Sequence, residues 1–253
     1  MHSLHFAADV ASQDVIERSF TLGEIHGVLW SPLSPLPGVP LLLMGHGGGL
    51  HKRAPGLVSR ARAMVVEQGF HVAAIDAPGH GERPRSAQDQ RWVDSMLQAR
   101  AAGESLAPSI AAYNGSLVER TVPEWRATID ALQELPEIGT EAPIGYQGMT
   151  LATAIGISLA AVDERIRAAI FGGVFVYDAV LAAARQVTIP IEFLMPLDDA
   201  EIDRTSGLEV FDAFASVEKT LLAFPGSHFR VPVGQLDTRF FARHFNRVAA
   251  AAG

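Results

Sequence analysis

From about residue 39 onward, short continuous apolar runs alternate with segments of helical spacing, and few folds accommodate that pattern. A strand that is apolar at every position, and not at every second one, must be covered on both faces. Strands separated by helices return to their sheet by crossover, so the alternation predicts an α/β domain with a mostly parallel central sheet and helices on both faces. The predicted strands are Val39–Met44, His71–Ile75, Pro143–Met149, Arg167–Val174, Ile189–Met195 and Glu218–Phe224. Helical spacing covers Ala54–Gln68 (with Gly69 as its stop), Thr150–Ala161, Tyr177–Arg185, Ser206–Phe214 and Thr238–Ala251. Ahead of them, Phe20–Leu22 and Glu24–Trp30 read as two strands turning at Gly23, and the proline- and serine-rich Ser31–Gly38 reads as a loop. Ala87–Leu135 is expected to hold three helices, punctuated by Pro108 and Pro123. It is longer than one crossover needs, so approximately 84–121 is expected as a helical cap insertion. No repeat or linker divides the chain, which predicts a single domain over 1–253.

Composition removes several function classes. The net charge of -8 (20 basic, 28 acidic residues) argues against nucleic acid as a partner. The absence of cysteine excludes disulfides, thiol nucleophiles and cysteine-ligated metals. Met1 to Val10 lack the basic start and apolar run of a secretory leader, and the longest apolar runs are too short to span a bilayer. The expectation is a cytoplasmic protein with a small-molecule substrate and no membrane partner.

In a sheet of this type, sites form at the carboxyl ends of the strands, and five such loops carry unusual residues. Gly145-Tyr146-Gln147-Gly148-Met149-Thr150-Leu151-Ala152-Thr153 takes a strand directly into a helix, with small residues where the two must cross closely. Pro196-Leu197-Asp198-Asp199-Ala200-Glu201-Ile202 follows a later strand, and Phe224-Pro225-Gly226-Ser227-His228-Phe229 follows the last one. Gly45-His46-Gly47-Gly48-Gly49-Leu50-His51-Lys52 and Asp76-Ala77-Pro78-Gly79-His80-Gly81-Glu82-Arg83 complete the set.

Together these loops resemble the α/β-hydrolase superfamily, in particular its bacterial esterase and dienelactone-hydrolase-like members, over roughly residues 39 to 248. The resemblance implies that Thr150 stands at the nucleophile elbow, between Gly148 and Ala152, where relatives have serine. It implies Asp199, with Ile202 three residues on, as the acid; Asp198 fits less well. His228 is implied as the base, in the chain order nucleophile, acid, histidine. Gly48 and Leu151 N–H groups are implied as the oxyanion hole, and the 76–83 loop as mainly structural. Threonine is a departure, because the elbow requires positive φ and a β-branched residue adopts it at a cost.

Competing readings of the same residues exist. Thr150 could simply cap the following helix. Ser158, in Gly156-Ile157-Ser158-Leu159-Ala160, fits a relaxed elbow pattern but has no strand entering it. The glycine run lacks the Gly-Lys-Ser/Thr ending of a phosphate-binding loop, and His46, His80 and Glu82 lack zinc spacing. Tyr146 and Gln147 are expected under the elbow. Phe171, Phe175, Tyr177 and the helices over 87–121 are candidates for an apolar pocket or for plain core. The expected activity is hydrolysis of a carboxylic ester or thioester by a Thr-His-Asp triad, with no cofactor and no metal. The alternatives are a lyase or cyclase with His228 as base and Thr150 as hydrogen-bond donor, and a catalytically silent ligand binder.

Overall fold

A computed structural model of the chain describes residues 3–7, 10–12, 14–35, 38–232 and 239–251. Ten strands form one sheet: β1 (Leu4–Phe6), β2 (Val10–Ala11), β3 (Val15–Leu22), β4 (Ile25–Pro32), β5 (Leu41–Met44), β6 (His71–Ile75), β7 (Ile144–Met149), β8 (Ile166–Gly172), β9 (Ile191–Pro196) and β10 (Lys219–Phe224). Seven helices are described: α1 (Pro55–Gln68), α2 (Ala87–Ala102), α3 (Ala107–Gln133), α4 (Leu151–Val162), α5 (Asp178–Ala184), α6 (Arg204–Ala213) and α7 (Phe240–Ala251).

The sheet order is β1-β3-β4-β6-β5-β7-β8-β9-β10, with β2 paired to β3. β6, β5, β7, β8, β9 and β10 are parallel to their neighbours in that run, whereas β1 to β4 join antiparallel. This is the mostly parallel, doubly covered α/β sheet expected from the alternation. Every residue of β5, β6 and β9 is buried, as strands covered on both faces require. One face packs on α1 and α7 through Leu57, Ala61, Phe241 and Phe245. The other packs on α3 to α6 through residues such as Leu117, Trp125, Ile155, Val180 and Val210. Among the described residues, no helix is long and apolar enough to cross a membrane.

Two expectations need correction. The stretch over 87–135 holds two helices, and only Pro108 marks a boundary: it lies in the first turn of α3, where a missing N–H costs nothing. Pro123 sits inside α3. Its ring removes one helical hydrogen bond and disfavours the turn before it. The helix nevertheless runs through, because Tyr113 and Leu117 before the proline and Trp125, Ile129 and Leu132 after it bury in the same core. Tertiary packing outweighs the local break. The short strands β1 and β2 were not anticipated, since three- and two-residue pieces show no periodicity.

The chain leaves β5 for β6 on one side and returns to β7 on the other, so the carboxyl ends of β5 and β7 flank the point where strand order reverses. The glycine-rich loop and the strand-to-helix turn start there. β9 and β10 lie further along the same side and carry the Asp199 and His228 loops.

Candidate active site

Thr150 joins β7 to α4 with φ 54° and ψ −113°, and it is the only non-glycine residue at positive φ among those described. Such a conformation costs on the order of 1–3 kcal/mol and persists only where surroundings impose it. Here they do. The Thr150 N–H is held by the Gly173 carbonyl at 3.1 Å. The Thr153 hydroxyl accepts the Gly172 N–H at 2.9 Å and lies 2.9 Å from the Gly148 carbonyl and 2.6 Å from that of Gly172. The crossing is as tight as the small residues suggested: a Cβ at Gly148 would lie 2.6 Å from Ala152 Cβ and 2.8 Å from its carbonyl carbon. Tyr146 is fully buried beneath, its hydroxyl donating to the Ala152 carbonyl at 2.8 Å.

The capping reading of Thr150 does not hold, because its side chain makes no cap hydrogen bond although it occupies the N-cap position. Its hydroxyl points instead toward the glycine loop, where a Cβ at Gly47 would fall 2.9 Å from Thr150 Oγ1. Ser158 sits inside α4, and its hydroxyl donates to the Ala154 carbonyl at 3.0 Å.

Asp199 and His228, far apart in sequence, come together. His228 Nδ1 lies 2.6 Å from Asp199 Oδ2, and the His228 backbone N–H donates to the same oxygen, also at 2.6 Å. Asp199 Oδ1 accepts the N–H groups of Glu201 (2.9 Å) and Ile202 (3.0 Å). Burial works against ionisation of this carboxyl, but the donors from His228, Glu201 and Ile202 outweigh it and hold it below the usual carboxylate range. A carboxylate can only accept, so Nδ1 carries a proton, and in that tautomer the lone pair lies at Nε2. The neighbouring Asp198 serves a different purpose, since its Oδ2 accepts the Gly226 N–H at 2.9 Å and ties the two loops together.

Thr150, Leu151, Gly48 and His228 all line one cavity of about 310 Å³. No protein hydrogen bond occupies the Thr150 hydroxyl or His228 Nε2 among the described residues. Leu151 is the first residue of α4, so its N–H belongs to the unpaired first turn. The positive end of the helix dipole accompanies it. Gly48 faces open space and is free to approach a ligand. The cavity roof comes from α2 and the start of α3 through Val93, Met96, Leu97, Leu106 and Ile110. Of the three aromatic candidates, Phe175 lines it. Phe171 is instead core, stacked on Phe214 with centroids 5.6 Å apart, and Tyr177 packs against the core.

Two features escaped the sequence reading. The first is a buried clamp behind the glycine loop: Lys52 Nζ donates to Asp76 Oδ2 (2.6 Å) and Glu82 Oε1 (2.7 Å), and the Lys52 N–H donates to Asp76 Oδ1 (2.8 Å). Burial opposes the Asp76 charge, yet the Lys52 and Glu82 donors keep its carboxyl below the usual range. With Glu82 engaged by Lys52 and 3.1 Å from His26 Nδ1, it does not converge with His46 and His80. Among the described residues, no three His, Asp or Glu side chains are grouped to hold a metal ion. The second is Gly47, whose backbone approaches the Thr150 hydroxyl. Gly47→Ala is expected to lower kcat/KM about 100-fold with a small change in melting temperature, because the methyl must displace the Thr150 hydroxyl. Parallel kinetics and thermal melts check this, and unchanged turnover would contradict it.

His46 holds the same loop. Its Nδ1–H donates to the Gly47 carbonyl at 3.0 Å, and Nε2 accepts the Ala77 N–H at 3.0 Å. Burial pushes this imidazole down to about 4, against the pull of the Gly47 carbonyl. His71 and His80 are also lowered, by burial first. The unfolded chain therefore takes up protons below about pH 6.5 that the folded chain refuses. Stability is complete above that value and is lost as pH falls toward 4, by on the order of 3 kcal/mol for His46 alone. Urea unfolding midpoints at pH 7.5 and 4.5 check it; equal midpoints would contradict it.

No protein-family model matches the chain, and no curated protein matches it in sequence. Solved structures do match along nearly its whole length. A cold-adapted esterase from an Arctic intertidal metagenomic library is 27% identical, with a TM-score of 0.73 over 95% of this chain and 99% of that one. Dienelactone hydrolase from Anabaena variabilis is 20% identical, with a TM-score of 0.62 over 96% and 100%. Acetyl xylan esterase from Paenibacillus sp. R4 is 14% identical, with a TM-score of 0.70 over 97% and 88%. The chain has the α/β-hydrolase fold that these structures share.

Proposed function

We propose that this α/β-hydrolase-fold chain is a hydrolase of carboxylic esters or thioesters that uses Thr150 as its nucleophile. The observation that carries the proposal is the strained Thr150, at φ 54°, on the same cavity as a histidine whose Nδ1 is bound to Asp199. Strain concentrated on one hydroxyl-bearing residue, with small residues conceding space around it, has no use in a plain helix start. The 27% identity to a cold-adapted esterase over nearly the full length supports the same reading.

In this mechanism His228 Nε2 takes the proton from Thr150 Oγ1 as that oxygen bonds to the ester carbonyl carbon. The carbonyl oxygen becomes an oxyanion between the Gly48 and Leu151 N–H groups. The intermediate collapses, breaking the bond to the alcohol or thiol, which leaves with the proton held by His228. Water then attacks the acyl-threonine, gives its proton to His228, and the acid departs as Thr150 regains its hydrogen. Asp199 keeps the imidazole in the required tautomer and stabilises the imidazolium. Every proton is returned within the cycle, so the reaction draws on no other reagent.

Initial rates with 4-nitrophenyl acetate and 4-nitrophenyl butyrate test the proposal. Steady release of 4-nitrophenol with one acid formed per turnover is expected. Folded protein that turns over neither ester would overturn it.

A further inference from the structure

The buried wall of the cavity carries hydrogen-bonding groups that the proposed mechanism leaves unused. His80, Tyr113 and Asn114 are 5%, 5% and 7% exposed, and all three line the cavity beside apolar Leu117 and Ile110. His80 Nδ1 lies 3.0 Å from the Pro78 carbonyl. A carbonyl only accepts, so Nδ1 bears the proton and Nε2 is left as an acceptor. Nothing among the described residues donates to it. The Asn114 side-chain amide likewise has no hydrogen-bond partner among the described residues, whereas the Tyr113 hydroxyl is engaged by the Arg85 side chain. Buried polar groups in native structures are satisfied almost without exception, and the neighbouring Ile110 and Leu117 offer His80 and Asn114 no partner. Two unmatched groups on one wall, His80 Nε2 and the Asn114 amide, therefore mark a place where part of a ligand is read.

Their chemistry identifies that part. His80 Nε2 demands a donor, whereas the Asn114 amide both donates and accepts. One group that donates and accepts at once is a hydroxyl. An ammonium would also donate, but it has no lone pair with which to accept from the Asn114 amide. A plain alkyl chain would leave both groups unmatched. We propose, building on the ester-hydrolase reading, that the substrate carries a hydroxyl group that donates to His80 Nε2 and accepts from Asn114. The buried state of His80 also disfavours its protonated form, which keeps Nε2 an acceptor at neutral pH. The cavity of about 310 Å³ limits the substrate to a small hydroxylated ester.

Two matched pairs test the assignment: ethyl butyrate with ethyl 3-hydroxybutyrate, and butyl acetate with 4-hydroxybutyl acetate. The first puts the hydroxyl on the acyl side and the second on the alcohol side. The ratio of kcat/KM within each pair is the readout, for wild type, His80→Phe, Asn114→Leu and His80→Gln. In at least one pair the wild type is expected to favour the hydroxylated ester by about tenfold or more, as one buried hydrogen bond supplies. His80→Phe and Asn114→Leu bring that ratio toward one, and His80→Gln, which retains an acceptor, keeps part of it. Asn114→Leu conserves volume, so the prediction does not rest on the folding of the His80 variants alone. Turnover of all four esters with ratios near one in wild type, or a preference surviving both apolar variants, overturns the hydroxyl site and leaves the esterase reading standing. If wild type turns over none of them, the esterase reading falls, and the hydroxyl site is judged by heat denaturation with the same esters. Greater stabilisation by the hydroxylated member, lost in Asn114→Leu, then supports it, and equal stabilisation overturns it.

Discussion

Thr150→Ala is expected to lower kcat/KM for 4-nitrophenyl acetate by about 10³-fold or more while leaving the fold intact. The side chain makes no hydrogen bond that the fold depends on, since α4 begins without a cap from it. The elbow is held instead by the Thr150 N–H, by Thr153 and by the contact of Gly148 with Ala152. Deleting the hydroxyl therefore removes the proposed nucleophile and little else. A lyase-type site with Thr150 as a hydrogen-bond donor would retain measurable chemistry on its own substrate, and a silent binder would show none in wild type. Two companion variants separate nucleophile from strain. Thr150→Gly is expected to unfold at a higher temperature than Thr150→Ala, because glycine adopts φ 54° without a Cβ penalty. Thr150→Ser is expected to reach at least wild-type turnover, because it keeps the hydroxyl and removes a methyl that restricts χ1 and crowds the attacking path.

Asp199→Asn is expected to cost about 10³-fold in kcat with a smaller change in KM. The carboxylate accepts four hydrogen bonds, two at each oxygen, from His228, Glu201 and Ile202. Asparagine must place an NH₂ where either the Glu201 and Ile202 N–H groups or the His228 donors now point. In the first case the loop loses its anchor. In the second the imidazole turns over to the tautomer with its proton on Nε2, which is then unable to accept from Thr150. Asp198→Asn serves as the contrast: that carboxylate bonds Gly226 and not the imidazole, so its loss is expected to cost less than about tenfold. Steady-state kinetics on the two variants check the pair, and equal losses would mean that the loop and not the ring is what Asp199 holds.

Much of this arrangement was legible in the chain because it follows from local rules. Six strands from β5 onward announce themselves as continuous apolar runs, and the glycine at position 69 closes α1 in the left-handed conformation that glycine favours. The site was legible for a related reason: residues that must be small, positively twisted or hydroxyl-bearing fall at strand ends. What remained hidden depends on contacts across long sequence distances. Pro123 reads as a helix boundary until Leu117 and Trp125 are seen to share one core. Nothing in the order of residues pairs Lys52 with Asp76, 24 positions away, against which it is buried. Asn114 has helical spacing like its neighbours, and nothing in the order of residues says that its face of α3 looks into the cavity. Phe171 and Phe175 are indistinguishable in sequence, yet one is core and the other lines the site.

The claim that everything else rests on is that the Thr150 oxygen forms the covalent bond. Diethyl 4-nitrophenyl phosphate transfers a stable phosphoryl group to an activated hydroxyl, and fragmentation mass spectrometry of the digested protein locates the adduct. One diethylphosphoryl group on Thr150, with loss of ester turnover in proportion to labelling, is the predicted result. An adduct on Ser158 or another hydroxyl, or full turnover by protein that remains unlabelled, would contradict it.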